Sequence, residues 1–298
     1  MEFGRIGLIG FGEVGKIFAR GLFPRVKALH CWDIKLAAPE SRGEALAQAA
    51  MLGAGACESA ADHCLKSDLV ISAVTASSTL EVASEASRHI RPGTVFLDLN
   101  SASPGTKQQA AALIDGAGGH YVEAGVMTSV PPYGIGVPML LGGEKADALS
   151  QVLRGYGMNA TPVASNVGVA SAIKMCRSVM IKGLEALVIE SYATARHYGV
   201  EDHMIATLAE TFPSIDWNRQ GAYFFSRVAQ HGKRRAEEMR EVANTVREAG
   251  FTPWMAAATA EKHDWVAQQS RAGAFEGLGR DATWQAYADP LLARAKAE

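Results

Sequence analysis

Cysteine is scarce in this sequence and never paired at close spacing: Cys31, Cys57, Cys64 and Cys176 include no C-x-x-C couple. A disulfide framework and a redox couple are thereby excluded, and the mostly apolar neighbours fit reduced structural thiols in a reducing compartment. No H-E-x-x-H, no G-x-S-x-G and no metal-spaced Cys/His cluster occurs, so neither a zinc site nor a nucleophilic hydrolase has support, and no metal is expected. An uninterrupted apolar run is also missing. The long stretch from Asn166 to Tyr198 is broken by Lys174, Arg177, Lys182, Glu185 and Glu190, too many charges for a membrane span. With no basic leader or cleavage signal, neither export nor an anchor is indicated, and the expected location is cytoplasmic. Excess charge of one sign is lacking: 29 Lys plus Arg face 31 Asp plus Glu. This removes the electrostatic case for nucleic acid or an anionic membrane and leaves small molecules as the expected partners. Internal repeats and low-complexity tracts are absent.

Glycine, by contrast, is placed with purpose. Residues Ile6 to Ile9 read as a buried strand, after which Gly10, Gly12 and Gly15 fall at G-x-G-x-x-G spacing and the pattern turns helical from Val14. In a dinucleotide site these glycines give a tight turn, close backbone approach to a pyrophosphate and helix–strand packing. The unpaired N–H groups and dipole of the following helix favour the phosphates. The expected cofactor loop is therefore Gly10, Phe11, Gly12, Glu13, Val14 and Gly15. A second apolar run, Val26 to Trp32, ends at Asp33, where a carboxylate grips an NAD ribose and repels a 2′-phosphate. NAD is the expected cofactor, with NADP kept open by Lys35 and Arg5. Two other readings compete: a ligand-free turn, and a phosphate loop from Gly10 to Lys16, for which Ile17 lacks the hydroxyl that Mg²⁺ needs.

Downstream the pattern alternates. Helices near Glu40–Leu52, Ala60–Lys66, Leu80–His89, Pro104–Ile114 and Glu144–Leu153 interleave with short apolar runs at Ala56, Asp68–Val74, Thr94–Leu99, His120–Ala124, Met139–Leu141 and Ala160–Val163. Such alternation predicts an α/β, doubly wound Rossmann-type sheet whose ligands sit outside the strand carboxyl ends, which is where Val74, Thr75, Asn100 and Ser101 fall. Gly125 to Pro138 is rich in turn formers yet poor in charge, as the wall of a site would be. From Asn166 on, only helical periodicity remains: a long helix to Tyr198, then His203–Thr211, Arg219–His231, Lys233–Ala249 and Met255–Gln269. Two domains are expected, residues 1–164 for the dinucleotide and 165–298 as an all-α substrate and dimerisation domain opening with the long helix.

Gly10-x-Gly12-x-x-Gly15, Asp98-Leu-Asn-Ser-Ala-Ser-Pro104, the Gly125–Gly143 segment and Gly168-x5-Lys174 occur in the order found in the β-hydroxyacid dehydrogenases. Over nearly its whole length the chain resembles these enzymes and their 6-phosphogluconate-dehydrogenase-like relatives. The resemblance implies an NAD-dependent oxidoreductase acting on a small β-hydroxy acid or its oxo or semialdehyde form, and a homodimer. It also implies that Lys174 is the catalytic lysine, that Asn100 and Ser101 and the Thr128–Ser129 region line the site, and that Arg177 and Ser178 stand where the family carries Asn-Asn. Met127-Thr128-Ser129 replaces the family's Ser-Gly-Gly, and a later family lysine is missing near Glu237-Glu238, as in a branch with its own C-terminal domain.

The residues give parallel reasons. A desolvated lysine takes the hydroxyl proton as hydride leaves, whereas a snorkelling surface lysine is the bland alternative, and Lys182 is equally available for it. Arg177 suits either a substrate carboxylate or a neighbouring glutamate. His263-Asp264 reads as part of a solvated face, with a proton relay as the alternative. An imine reductase on the same scaffold, whose proton donor is commonly not a lysine, and a non-catalytic dinucleotide sensor are the alternatives.

Overall fold

The computed structural model describes residues 3–279 and 281–295. It separates into two units, one ending at Met175 and the other beginning at Cys176.

The first unit carries an eight-stranded sheet. Its strands are β1 (Arg5–Ile9), β2 (Ala28–Trp32), β3 (Gly55–Ala56), β4 (Leu69–Ser72), β5 (Val95–Asp98), β6 (His120–Val126), β7 (Met139–Gly142) and β8 (Ala160–Ala164), in the spatial order β3-β2-β1-β4-β5-β6-β7-β8. Every pair is parallel except β6–β7. Helices α1 (Glu13–Leu22), α2 (Pro39–Met51), α3 (Ala60–Lys66), α4 (Thr79–Ser87), α5 (Pro104–Gly116) and α6 (Ala146–Gly155) connect them.

Because side chains alternate along a strand, the central strands feed two cores. Ile6, Leu8, Leu69, Ile71, Val95, Leu97 and Val122 pack with Phe18 and Leu22 of α1 and Leu149 and Leu153 of α6. Ile9, Val70, Phe96 and Tyr121 pack with Cys64 of α3, Ala83 of α4 and Ala110 and Ile114 of α5. Sheet order reverses between β1 and β4, which opens a crevice at their carboxyl ends.

Helix α7 (Val169–Tyr198) starts in the first unit and continues into the second, which adds α8 (Glu201–Thr211), α9 (Trp217–Glu248), α10 (Trp254–Arg271) and α11 (Trp284–Ala295). Its core joins Ile189 and Tyr192 to Phe224, Phe225 and Val228, with Val266, Trp284, Tyr287 and Leu291. Two expectations change here. The separate helices Arg219–His231 and Lys233–Ala249 are one helix, because Gly232 serves packing rather than a break: a Cβ there would stand 2.7 Å from the His263 carbonyl on α10. Helix α11 was not foreseen, since Pro290 lies inside it.

Candidate functional site

The β1–α1 turn gives each glycine a distinct task. Gly10 has a φ of +86°, and a Cβ on it would meet the Ala73 carbonyl at 2.4 Å. A Cβ on Gly15 would meet the Gly10 carbonyl at 2.1 Å, so α1 lies directly on the strand end. Gly12 is different: no described atom lies within 4 Å of the place its Cβ would take, and no described side chain caps the N-terminus of α1 there. The first turn of α1 carries no side-chain cap among the described residues and can receive an anion, with Phe11 buried, Glu13 exposed and Val14 packed against the core behind it.

Asp33 follows β2 and faces this turn. Its Oδ2 accepts the Phe11 N–H at 2.6 Å and its Oδ1 accepts the Lys35 N–H at 3.0 Å. Each carboxylate oxygen keeps a second lone pair for a hydroxyl donor. The donor set suits a dinucleotide: an uncapped helix N-terminus for the pyrophosphate and a carboxylate for a ribose diol.

Across the crevice, Val74 and Thr75 follow β4, and Asn100 and Ser101 follow β5. Asn100 is occupied by the protein itself: its Oδ1 accepts the Val74 N–H at 2.7 Å and its Nδ2 donates to Ser72 Oγ at 3.0 Å. It joins the ends of β4 and β5. Thr75 Oγ1 lies 3.2 Å from Ser77 Oγ and 3.1 Å from Ser78 Oγ.

A buried charge cluster fixes the next segment. Asp98, at the end of β5, accepts the Asn100 N–H at 2.8 Å and the Tyr121 hydroxyl at 2.5 Å, and its carboxylate lies 3.0 Å from Lys107 Nζ. Lys107 also donates to the Asp98 carbonyl at 3.1 Å. Burial first, then the Asp98 charge, pushes the Tyr121 phenol well above its ordinary pKa, so it stays a donor.

Beside Asp98 in register is Glu123 of β6, fully buried. Its Oε1 accepts the N–H groups of Gly168 at 2.7 Å and Ala170 at 2.9 Å, and its Oε2 that of Ser171 at 3.3 Å. Two neighbouring carboxylates are therefore each compensated by a helix, one by a lysine of α5 and the other by the N-terminus of α7. Lys174, half-buried one turn later, donates from Nζ to Ser101 Oγ at 2.5 Å.

The 127–138 loop is packed at its ends, while Pro131, Pro132 and Tyr133 at its middle are exposed. Met127 N–H donates to the Pro138 carbonyl at 2.9 Å, Val130 and Val137 are buried, and Ile135 sits against Gly21 of α1. Thr128 is exposed and Ser129 half-buried in it. Arg177 and Ser178 belong to the second unit, Arg177 exposed and Ser178 buried with its Oγ 3.4 Å from Lys182 Nζ.

The structure thus brings the glycine turn, Asp33, the two strand ends, Ser101 and Lys174 into one unit. Sequence reasoning missed Lys107, Tyr121 and Glu123 as members. Glu123 had a signal: an acid inside the apolar strand Tyr121–Ala124 needs buried donors. Among the described residues no group of three or more His, Cys, Asp or Glu is placed to hold a metal ion, and no helix is long and apolar enough to cross a membrane.

Residues 5–165 match the NAD binding domain of 6-phosphogluconate dehydrogenase, and residues 195–266 match a domain of unknown function (DUF1932). A conserved hypothetical protein from Sinorhizobium meliloti 1021 is 37% identical over 97% of this chain and 96% of its own, with a TM-score of 0.77. The conserved protein MTH1747, described as structurally similar to 3-hydroxyacid dehydrogenases, is 30% identical over 90% of this chain and 98% of its own, at a TM-score of 0.68. The Mycobacterium tuberculosis 3-hydroxyisobutyrate dehydrogenase, solved with L-serine, covers 98% of this chain and 99% of its own at a TM-score of 0.67. Its identity is 16%, which makes it a likeness of fold.

Proposed function

The chain belongs to the family of the 6-phosphogluconate dehydrogenase NAD-binding domain, which makes it an NAD-binding protein of hydroxyacid-dehydrogenase type; on that premise we propose that it moves a hydride between NAD(H) and a small β-hydroxy acid, or its oxo or semialdehyde form, with Lys174 as general acid/base. The observation that carries this reading is the 2.5 Å contact of Lys174 Nζ with Ser101 Oγ at the carboxyl end of the sheet. Bound nicotinamide supplies the hydride acceptor. Gly10, Gly12 and Gly15 let the α1 N-terminus hold the pyrophosphate, and Asp33 holds the ribose diol and disfavours a 2′-phosphate, so NAD is preferred to NADP.

Ser101 accepts a hydrogen bond from Lys174 and places the substrate hydroxyl at the same amine. In oxidation the neutral amine takes the hydroxyl proton as the hydride departs, and in reduction the ammonium returns it. Thr128 and Ser129 bind the substrate carboxylate through hydroxyl and backbone N–H donors. The protein works as a cytoplasmic homodimer. A lysine at this position supports alcohol over imine chemistry.

The test is a panel of β-hydroxy acids, including 3-hydroxyisobutyrate, with semialdehydes and cyclic imines, run with NAD and NADP and followed at the reduced-nicotinamide band. One acid should react, faster with NAD, and Lys174→Ala should lower its kcat by roughly 10² to 10⁴ while NADH binding survives. Turnover of imines alone, or NADH binding with no turnover, sinks the reading.

A further inference from the structure

Glu123 holds three amides of the turn that precedes Lys174: Gly168, Ala170 and Ser171. In a helix, side chains lean toward the N-terminus, so Lys174 runs back over the turn that contains Ala170 and Ser171 on its way to Ser101. A lysine has four side-chain torsions and is a poor positioning device on its own. Its amine can be held to fractions of an ångström only if the backbone beneath it is fixed.

Two glycines are shaped around this contact. A Cβ on Gly142, the cross-strand partner of Glu123 on β7, would stand 2.6 Å from Glu123 Oε1 and 3.1 Å from the Asn166 carbonyl. A Cβ on Gly125, two residues along β6, would stand 2.9 Å from the Ala170 carbonyl and 3.6 Å from Lys174 Cβ. Strand β6 therefore takes the first turns of α7 at backbone distance, and the Glu123 carboxylate locks them there.

We infer that Glu123 is a positioning residue for proton transfer: by capping the α7 N-terminus from inside the sheet it sets the Lys174 amine against Ser101. This rests on the reading of Lys174 as the general acid/base. Asp98, its neighbour in register, restrains the other partner through Asn100. The two ends of the Lys174–Ser101 contact are thus referred to adjacent points of one sheet.

Two substitutions test it. Glu123→Gln keeps the reach but turns an amide donor toward one of the three N–H groups, and Gly142→Ala displaces the carboxylate while keeping its charge. Each should lower kcat by about 10- to 100-fold with the KM for NAD within about two-fold, the pattern of a displaced catalytic group. Turnover is read with NAD and 3-hydroxyisobutyrate, or the fastest acid of the panel if another wins. In reductively ¹³C-methylated protein the Lys174 signal, assigned by its loss in Lys174→Arg, should move toward those of solvent-exposed lysines in both variants. If Glu123→Gln fails to fold, Gly142→Ala decides. A folded variant with parental kcat and an unmoved Lys174 signal overturns the inference. Should Lys174→Ala itself turn over at the parental rate, the proton-transfer role is what fails, and the NMR signal alone decides whether Glu123 sets the lysine.

Discussion

Adding a methyl group at Gly15 and adding one at Gly12 have opposite consequences. At Gly15 the new carbon meets the Gly10 carbonyl at 2.1 Å, so Gly15→Ala forces α1 away from β1 and should destabilise the chain by about 1–3 kcal/mol. At Gly12 the new carbon meets no described atom within 4 Å. Gly12→Ala should leave stability within about 1 kcal/mol of the parent, yet weaken NADH binding at least about ten-fold, because the methyl stands where a phosphate approaches the backbone. Thermal melts paired with NADH fluorescence titrations separate the two. Parental NADH affinity in Gly12→Ala would place the pyrophosphate elsewhere. These glycines and Asp33 were legible in the sequence because their spacing is local. Glu123, Lys107 and Tyr121 were not, because their value depends on which strands become neighbours, and β5 and β6 are paired by the fold rather than by proximity in the chain.

At the scale of elements, periodicity identified the strands and most helices, and it failed where one residue had a role that only packing reveals. The helical pattern was divided between His231 and Lys233, where Gly232 is a contact surface; His263 looked solvated and is fully buried. On α10, His263 faces Glu185 of α7, 3.7 Å away, and burial followed by the charges of Arg235 and Lys182 lowers its pKa to about 3, with Glu238 opposing. On α3, His63 is also fully buried and lowered to about 3, by burial first and then by His30. Above pH 6.5 both folded and unfolded chains hold these imidazoles neutral, and they cost no stability. Between pH 6.5 and 3 the unfolded chain binds protons that the folded chain refuses, so stability falls on acidification by about 1.4 kcal/mol per pH unit for each histidine. Glu185, raised by burial despite Arg235, acts in the opposite sense, since the folded state takes its proton first, and its contribution lies above the ordinary carboxylate pKa of 4.5; comparing His263→Leu with the parent therefore isolates the histidine, where the parent slope alone does not. Urea unfolding read by tryptophan fluorescence reports mainly on the helical unit, which holds Trp217, Trp254, Trp265 and Trp284. His263→Leu should flatten the pH slope of that signal. An unchanged slope would show that His263 carries its proton in the folded state.

For the whole molecule, the open question is what the helical unit does with the apolar side chains its own core leaves out. The aromatic run near the start of α9 is divided: Phe224 and Phe225 are core, whereas Tyr223 is exposed. Trp265 packs against the core, while Trp254 on α10 is 77% exposed beside an exposed Met255. On α7, Met180 and Leu187 stand seven residues apart, hence on one face, at 65% and 53% exposure. Single exposed apolar residues are ordinary in a soluble protein, but a tryptophan and a methionine–leucine stripe are the side chains from which self-complementary interfaces are built. The expectation is a homodimer through this unit, with a scattering mass twice the 31.6 kDa of the chain at micromolar concentration. Leu187→Glu places a charge on the α7 stripe without entering the core, so it should shift the mass to that of one chain and leave the helical circular dichroism intact. A parent protein that scatters as one chain would assign Met180, Leu187 and Trp254 to solvent and remove the dimer; a dimer that survives Leu187→Glu would move its interface off α7.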